Sequence, residues 1–309
     1  MDEIIVLESG GYTAKINATR GANCFSLEHS GHNAKILREP DYSKPLDNPF
    51  LYGAPILFPQ NRISGGKFEF EGRVYDFGIN EENTNCYIHG ALHVTPFAVV
   101  EKRENFVRLV YENDGTYVGY RDKFAITCTY FLSENGLETE CKIDNFSANN
   151  LPVLLGFHTT FNLPFIMSSN KNNVKIGVDI GDEIERNMAV YLPTGKILEY
   201  DQVSSAIKSG EFVSDKPISR HYKINADGLI TLYDESKNVT LVYENDEKYK
   251  FRLVYNGNAD NFICIEPQTG MANTPNSPFG RTYAGFDFIK SGESKIYKSK
   301  IYIKEGKIK

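Results

Sequence analysis

A chain of 309 residues carries 34 Lys and Arg against 40 Asp and Glu, a net charge of -6, with both signs scattered along its length. That pattern excludes the concentrated basic face that tracks nucleic-acid phosphates, and no apolar run approaches the ~18 residues needed to span a bilayer. The opening MDEIIVLESGGYTAKI is acidic and lacks the basic and apolar regions of a secretory signal. The five cysteines, Cys24, Cys86, Cys128, Cys141 and Cys264, form no C-x-x-C pair. They argue against a disulfide scaffold or a zinc site and fit a reducing cytoplasm.

In chain order, the hydrophobic period is close to two residues wherever it can be read. KFEFEGRVYDF (67–77) predicts two short strands about Glu71-Gly72, and FAVVEKR (97–103) and FVRLVYE (106–112) predict two more. FAITCTYFLSENGLETECKI (124–143) predicts a longer pair joined over Ser133 to Gly136, because Asn-Gly accepts positive φ at little cost. The stretch from Ser168 to Tyr222 reads as loop-rich and leaves room for a subdomain boundary. Within it, only YDQVSSAIKSG (200–210) has helical character, two turns ended by Gly210. VTLVYE (239–244), YKFRLVY (249–255), FICIE (262–266) and KIYKSKIYI (295–303) complete a set of strands rich in Val, Ile, Tyr, Phe and Thr. Without repeats or linkers to divide it, the expected fold class is all-β: one large antiparallel β-sandwich domain over residues 1–309.

The common local motifs are absent. GGK (65–67) and PTGK (193–196) lack the upstream Gly of a phosphate-cradling loop, where Asn61 and Val190 stand, and no G-x-S-x-G elbow occurs. His89 and His93 have helical metal-pair spacing, but Gly90 and VTPF oppose a helix, so no metal site is expected. Four segments embed ionisable residues among aromatic and small ones. In PILFPQNRISGGKF (55–68), Arg62 follows an apolar run, and alone it reads as a solvated strand-end charge. In CYIHGALH (86–93), His89-Gly90 also fits a turn. In LGFHTTFNLPF (155–165), His158 alone reads as a core histidine satisfied by a carbonyl, with Phe157, Phe161 and Phe165 around it. In FICIEPQTGMANTPN (262–276), Glu266 closes an apolar strand, where an unpaired carboxylate costs several kcal/mol to bury. Pro267 holds it extended. Glu266 is then either a placed general base or the partner of a buried ion pair, for instance with Arg62.

Together, FPQNRISGGKF, IHG, GFHTTFN and CIEPQTG, in that order from Phe58 to Gly270, resemble the aldose 1-epimerase (galactose mutarotase-like) family. The resemblance implies a large β-sandwich with an open cleft on one sheet. It implies His158 as general acid, Glu266 as general base, and Asn61, Arg62 and His89 as sugar-hydroxyl ligands. The family usually adds a substrate-binding Asp between the acid and the base. The nearest segment here, SDKPISRHYKI (214–224), offers Asp215 and His221 without a clear match. With no Trp in the chain, the aromatic that often follows His-Gly would be Phe97, and any stacking on a sugar must come from Phe or Tyr.

Such a site would interconvert the α and β anomers of an aldose, free or phosphorylated. A proton reaches the ring oxygen while another leaves the anomeric hydroxyl, and an acid and a base on opposite sides of the sugar do both at once. Phe157, Phe161 and Phe165 would then be walls that hold the donor. No cofactor is required, and a monomer or homodimer is expected, with neither nucleic acid nor membrane as partner. A carbohydrate-binding or sensing protein without turnover is the alternative. A glycoside hydrolase would need a second carboxylate facing Glu266, and no such motif is present.

Overall fold

The alternation in the sequence becomes strands with one face buried. Lys67–Phe70 pairs with Arg73–Asp76 across Glu71-Gly72, whose φ angles are 50° and 71°. Two successive positive φ values give the turn whose twist matches the strands it joins. Phe124–Ser133 and Gly136–Asn145 pair along their whole lengths and close with Ser133 opposite Gly136. The turn itself is Glu134-Asn135. Gly136 opens the second strand at φ 103°, where a Cβ would stand 2.3 Å from the Ile301 carbonyl oxygen.

The computed structural model describes residues 2–308 apart from 42, 44, 45, 47, 226 and 227. Two eight-stranded antiparallel sheets dominate it. One runs from Ala98–Arg103 through Phe106–Asn113, Phe124–Ser133, Gly136–Asn145, Ser294–Glu305, Val239–Asn245 and Ile230–Asp234 to Val174–Val178. The other, which carries the site, runs from Leu192–Leu198 through Ile180–Asn187, Ser219–Ile224, Phe251–Tyr255, Phe262–Gln268 and Gly156–Phe157 to Ile56–Leu57, and Thr160–Asn162 adds a second pairing on Phe262–Gln268. A separate four-stranded sheet forms between residues 4 and 35.

Side chains from the two large sheets meet between them. The Thr159 hydroxyl lies 3.0 Å from the Tyr243 hydroxyl, and Phe161 and Phe157 pack on Tyr243 and Tyr249 at 5.6 and 6.2 Å. Phe157, Phe161 and Phe165 are buried in this core. Phe157 and Phe161 therefore anchor the His158 strand from beneath rather than wall the cleft.

The helix forms at Gln202–Ser209, where Asp201 accepts from the Val203 and Ser204 N–H groups and Gly210 ends it at φ 72°. The loop-rich reading of Ser168 to Tyr222 is overturned, because Val174–Val178, Ile180–Asn187, Leu192–Leu198 and Ser219–Ile224 are strands. Leu192–Leu198 hid because LPTGKIL contains Pro and Gly and is mostly exposed, so it shows no two-residue period.

Candidate active site

Backbone register brings the two distant ionisable residues together. Phe262–Gln268 pairs with Gly156 at Gln268 and with Thr160 at Cys264, which sets His158 directly across from Glu266 on one face of the sheet. On the other flank the His158 N–H donates to the Pro55 carbonyl at 3.0 Å. His158 Nε2 stands 3.2 Å from Glu266 Oε1, with the two side chains 7% and 1% exposed. The strand does not stop at Glu266 but runs through Pro267 to Gln268, so the carboxylate lies within the sheet floor. The expectation of an acid and a base on opposite sides of a sugar is not met. Both rise from the same floor.

A chain of side-chain hydrogen bonds leads away from the pair. Glu266 Oε2 accepts from Gln268 Nε2 at 2.9 Å, Gln268 Oε1 accepts from Asn61 Nδ2 at 3.3 Å, and Asn61 Oδ1 accepts from the Arg62 N–H at 2.8 Å. Asn61 thus braces the Gln268 that orients Glu266, and its amide is already engaged on both atoms.

Burial pushes the Glu266 carboxyl up to about 8, against the Gln268 hydrogen bond and the positive charge of Arg186 and Arg62. Burial pushes His158 down to about 4. Each group is driven toward its neutral form, so the pair shares one proton over the neutral range.

Arg62 does not pair with Glu266. Its Nε and Nη2 close on the two oxygens of Glu81 at 2.6 and 2.7 Å, and its guanidinium lies 4.6 Å over the Tyr191 ring. Burial alone would raise Glu81, but Arg62 and the Thr84 hydroxyl overcome it and hold the carboxyl below its ordinary range. The turn after Arg62 depends on glycine: at Gly66, φ 63°, a Cβ would stand 1.7 Å from the Gly78 carbonyl oxygen.

His89 and Gly90 both take left-handed backbone, φ 63° and 69°. A Cβ on Gly90 would lie 2.0 Å from the Phe58 carbonyl oxygen, so only glycine fits where the IHG segment crosses Phe58. His89 Nδ1 sits 3.2 Å from the Gln60 carbonyl, which makes it the donor nitrogen, and burial beside His158 and Arg62 keeps the ring neutral. Its Nε2 is left as an acceptor. The His89 and His158 rings meet edge to face at 5.3 Å.

Asn61, Arg62, His89, His158 and Glu266 all line one cleft of about 670 Å³. Asp215 and His221 do not: Asp215 is exposed, and His221 is buried beside Leu253 in the sheet. Phe97 is also absent from the lining, buried against Tyr111 at 5.7 Å.

Sequence reasoning missed several lining residues. Phe50 packs on His89 at 4.7 Å and His93 at 4.6 Å, and supplies the aromatic wall. Glu81 fixes Arg62. Arg186, from the overlooked strand Ile180–Asn187, lines the cleft with Tyr191 and Tyr255. Its Nη2 donates to the Ser219 carbonyl and hydroxyl at 2.6 and 2.9 Å, and burial lowers the guanidinium to about 10, still cationic at neutral pH. Its signal in the sequence was slight, one charge in the weakly patterned run IGDEIERN.

This antiparallel sandwich matches the fold of the galactose mutarotase-like proteins. The aldose 1-epimerase family model matches residues 3–298, and the chain belongs to that family. A galactose mutarotase-like protein from Clostridium acetobutylicum superposes with a TM-score of 0.91 and 29% identity, over 99% of this chain and 98% of that one. A GalM/aldose epimerase homologue from Caenorhabditis elegans superposes at 0.79 with 16% identity, over 99% and 100%. Among curated relatives, the uncharacterized Escherichia coli YihR is 28% identical over 158 residues, and the bifunctional Schizosaccharomyces pombe protein gal10 is 28% identical over 197. The matched stretches span 49% of YihR and 27% of gal10, and 50% and 59% of this chain.

Proposed function

We propose that the protein is a cofactor-independent aldose 1-epimerase that interconverts the α and β anomers of a sugar, with His158 and Glu266 as its proton-transfer pair. The observation that carries this reading is the 3.2 Å approach of His158 Nε2 to Glu266 Oε1 on the cleft floor. The ring oxygen and the anomeric hydroxyl are bonded to one carbon, so neighbouring acid and base groups on one floor reach both.

In the working tautomer His158 is protonated and Glu266 ionised. His158 gives its proton to the ring oxygen as Glu266 takes one from the anomeric hydroxyl; the bond between C1 and the ring oxygen breaks, its electron pair stays on that oxygen, and the anomeric C–O becomes the aldehyde carbonyl. Rotation about C1–C2 turns the other face of the aldehyde, and closure returns both protons with the configuration inverted. The pair ends with the proton count it began with. Gln268 holds the carboxylate, Arg62 and Asn61 brace that wall, and the His89 Nε2 accepts from a sugar hydroxyl. Five buried free cysteines support action in a reducing compartment.

A glycosidase fits less well. The other carboxylate among the described lining residues, Glu81, is held ionised by Arg62 and cannot serve as the general acid. Exchange NMR between anomeric signals of a sugar panel tests the proposal. Wild-type protein accelerates exchange, and His158→Ala and Glu266→Gln each lower the rate by roughly 10² to 10⁴ with circular dichroism unchanged. Wild-type rates in either variant would defeat the assignment, and binding without exchange in the wild type would favour a sensing protein.

A further inference from the structure

The charges of the described cleft lining do not cancel. Arg62 is matched by Glu81, which it grips through two nitrogens. His158 and Glu266 share one proton, so the pair is neutral overall whichever atom carries it. His89 is neutral. Arg186 is left over, 9% exposed, with no ion pair to any described residue. Its Nη2 is held by Ser219, while Nη1 and Nε have no acceptor among the described residues.

A guanidinium kept charged, largely out of water and without a counter-ion is a costly arrangement for a fold to hold. Its anchor gives it a location. Ser219 pairs with Tyr255, and the next strand beyond carries Glu266, so the anchor lies two strand spacings from the proton-transfer strand, about 10 Å across the sheet. A hexose set with its anomeric carbon at Glu266 and its long axis across the sheet would bring its far end to Arg186.

Resting on the epimerase reading of this same floor, we propose that the substrate is an aldose with a single negative charge at the end remote from the anomeric carbon, a hexuronate, whose carboxylate is bound by Arg186. One surplus positive charge matches one negative charge. The planar guanidinium edge matches a carboxylate, with two parallel N–H···O bonds. A phosphomonoester carries about -1.5 to -2 at neutral pH and would leave unbalanced negative charge near Glu81 and Glu266.

The test measures anomer exchange by NMR on D-glucuronate, D-galacturonate, D-glucose, D-galactose and D-glucose 6-phosphate, with wild-type protein, Arg186→Gln and Arg186→Lys. The wild type is expected to favour a hexuronate over the matching hexose by about ten- to a hundredfold in kcat/KM, as a charge-assisted hydrogen-bonded contact allows. Arg186→Gln collapses that ratio, mainly through KM, and Arg186→Lys restores part of it. Equal rates on uronate and hexose, or preference for the phosphate, overturn the hexuronate inference and leave the epimerase reading standing. Calorimetric titration with D-glucuronate and D-galacturonate separates the two failures. Uronate binding that needs Arg186 but brings no exchange sustains the anion site and defeats the epimerase reading. Uronate binding indifferent to Arg186→Gln, or no uronate binding, overturns the anion site.

Discussion

His158 and His221 are both buried in the cleft sheet, and burial pushes both imidazoles down, to about 4 and about 3. They differ in what the register sets beside them. Across from His158 stands Glu266, and across from His221 stands Leu253, which itself neighbours Glu266 on the next strand. His158 opens onto the cleft and meets a carboxyl driven the opposite way by the same burial. His221 meets the edge of Phe251 at 5.8 Å, and neither ring nitrogen has a partner among the described residues. In the proposed mechanism, a buried histidine serves proton transfer where the strand pairing supplies a second titrating group and a path to substrate.

The largest effect that sharpens this contrast is on the pH profile. The His158–Glu266 pair takes a second proton below about 4 and loses its last above about 8. With a neutral hexose as substrate, kcat/KM is expected to be flat between these limits and to fall tenfold per pH unit outside them, about a hundredfold two units beyond either. A limb near pH 6.5 would mean that the histidine titrates as though in water. Stability should change where activity does not. The folded carboxyl of Glu266 lies above its unfolded value of 4.5, so its burial favours the fold below pH 4.5 and weakens it progressively as pH rises to 8. Glu266→Gln should therefore raise Tm at pH 8 while it lowers turnover by roughly 10² to 10⁴.

The next break leaves the pair intact and displaces the histidine beside it. Gly90→Ala puts a Cβ 2.0 Å from the Phe58 carbonyl oxygen at φ 69°. A loss of about 3 kcal/mol in urea unfolding is expected, with a higher KM as His89 shifts. An unchanged midpoint would show that the IHG turn tolerates a side chain. Gln268→Leu acts more finely. Without its donor to Glu266 Oε2 the carboxyl rises further, so the alkaline limb should move up by about one pH unit. A downward shift would reverse the role given to Gln268.

The sequence made the floor legible because each of its residues sits in a short run whose composition conflicts with its place: a carboxylate in FICIE, a histidine in GFHTTF, an arginine before a glycine pair. The hairpins were legible because alternation and turn residues are local. What stayed hidden is relational. Nothing in the run IGDEIERN says that Arg186 would lie over Ser219 without a counter-ion, and nothing in NPFL says that Phe50 would pack on two histidines. That His158 and Glu266 share one floor follows from the Gly156–Gln268 register, which only pairing across the sheet fixes.

The smallest effect bears on the histidine without a partner. Buried nitrogens that form no hydrogen bond cost about 1–3 kcal/mol, and an apolar residue of similar volume removes that cost, so His221→Leu should be neutral or stabilising at pH 7, within about 1 kcal/mol. Its sign grows clearer in acid. The folded imidazole lies below its unfolded value of 6.5, so between 6.5 and about 3 the unfolded chain binds the extra proton and wild-type stability falls as pH falls. The variant lacks that share of the loss. Its Tm relative to wild type should therefore rise on going from pH 7 to pH 4.5, by the equivalent of about 2 kcal/mol, while kcat/KM at pH 7 stays as it was. A variant that loses stability on acidification as steeply as wild type would show that His221 is already protonated in the fold. It would then need a partner the sheet does not display, and the contrast with His158 would fail.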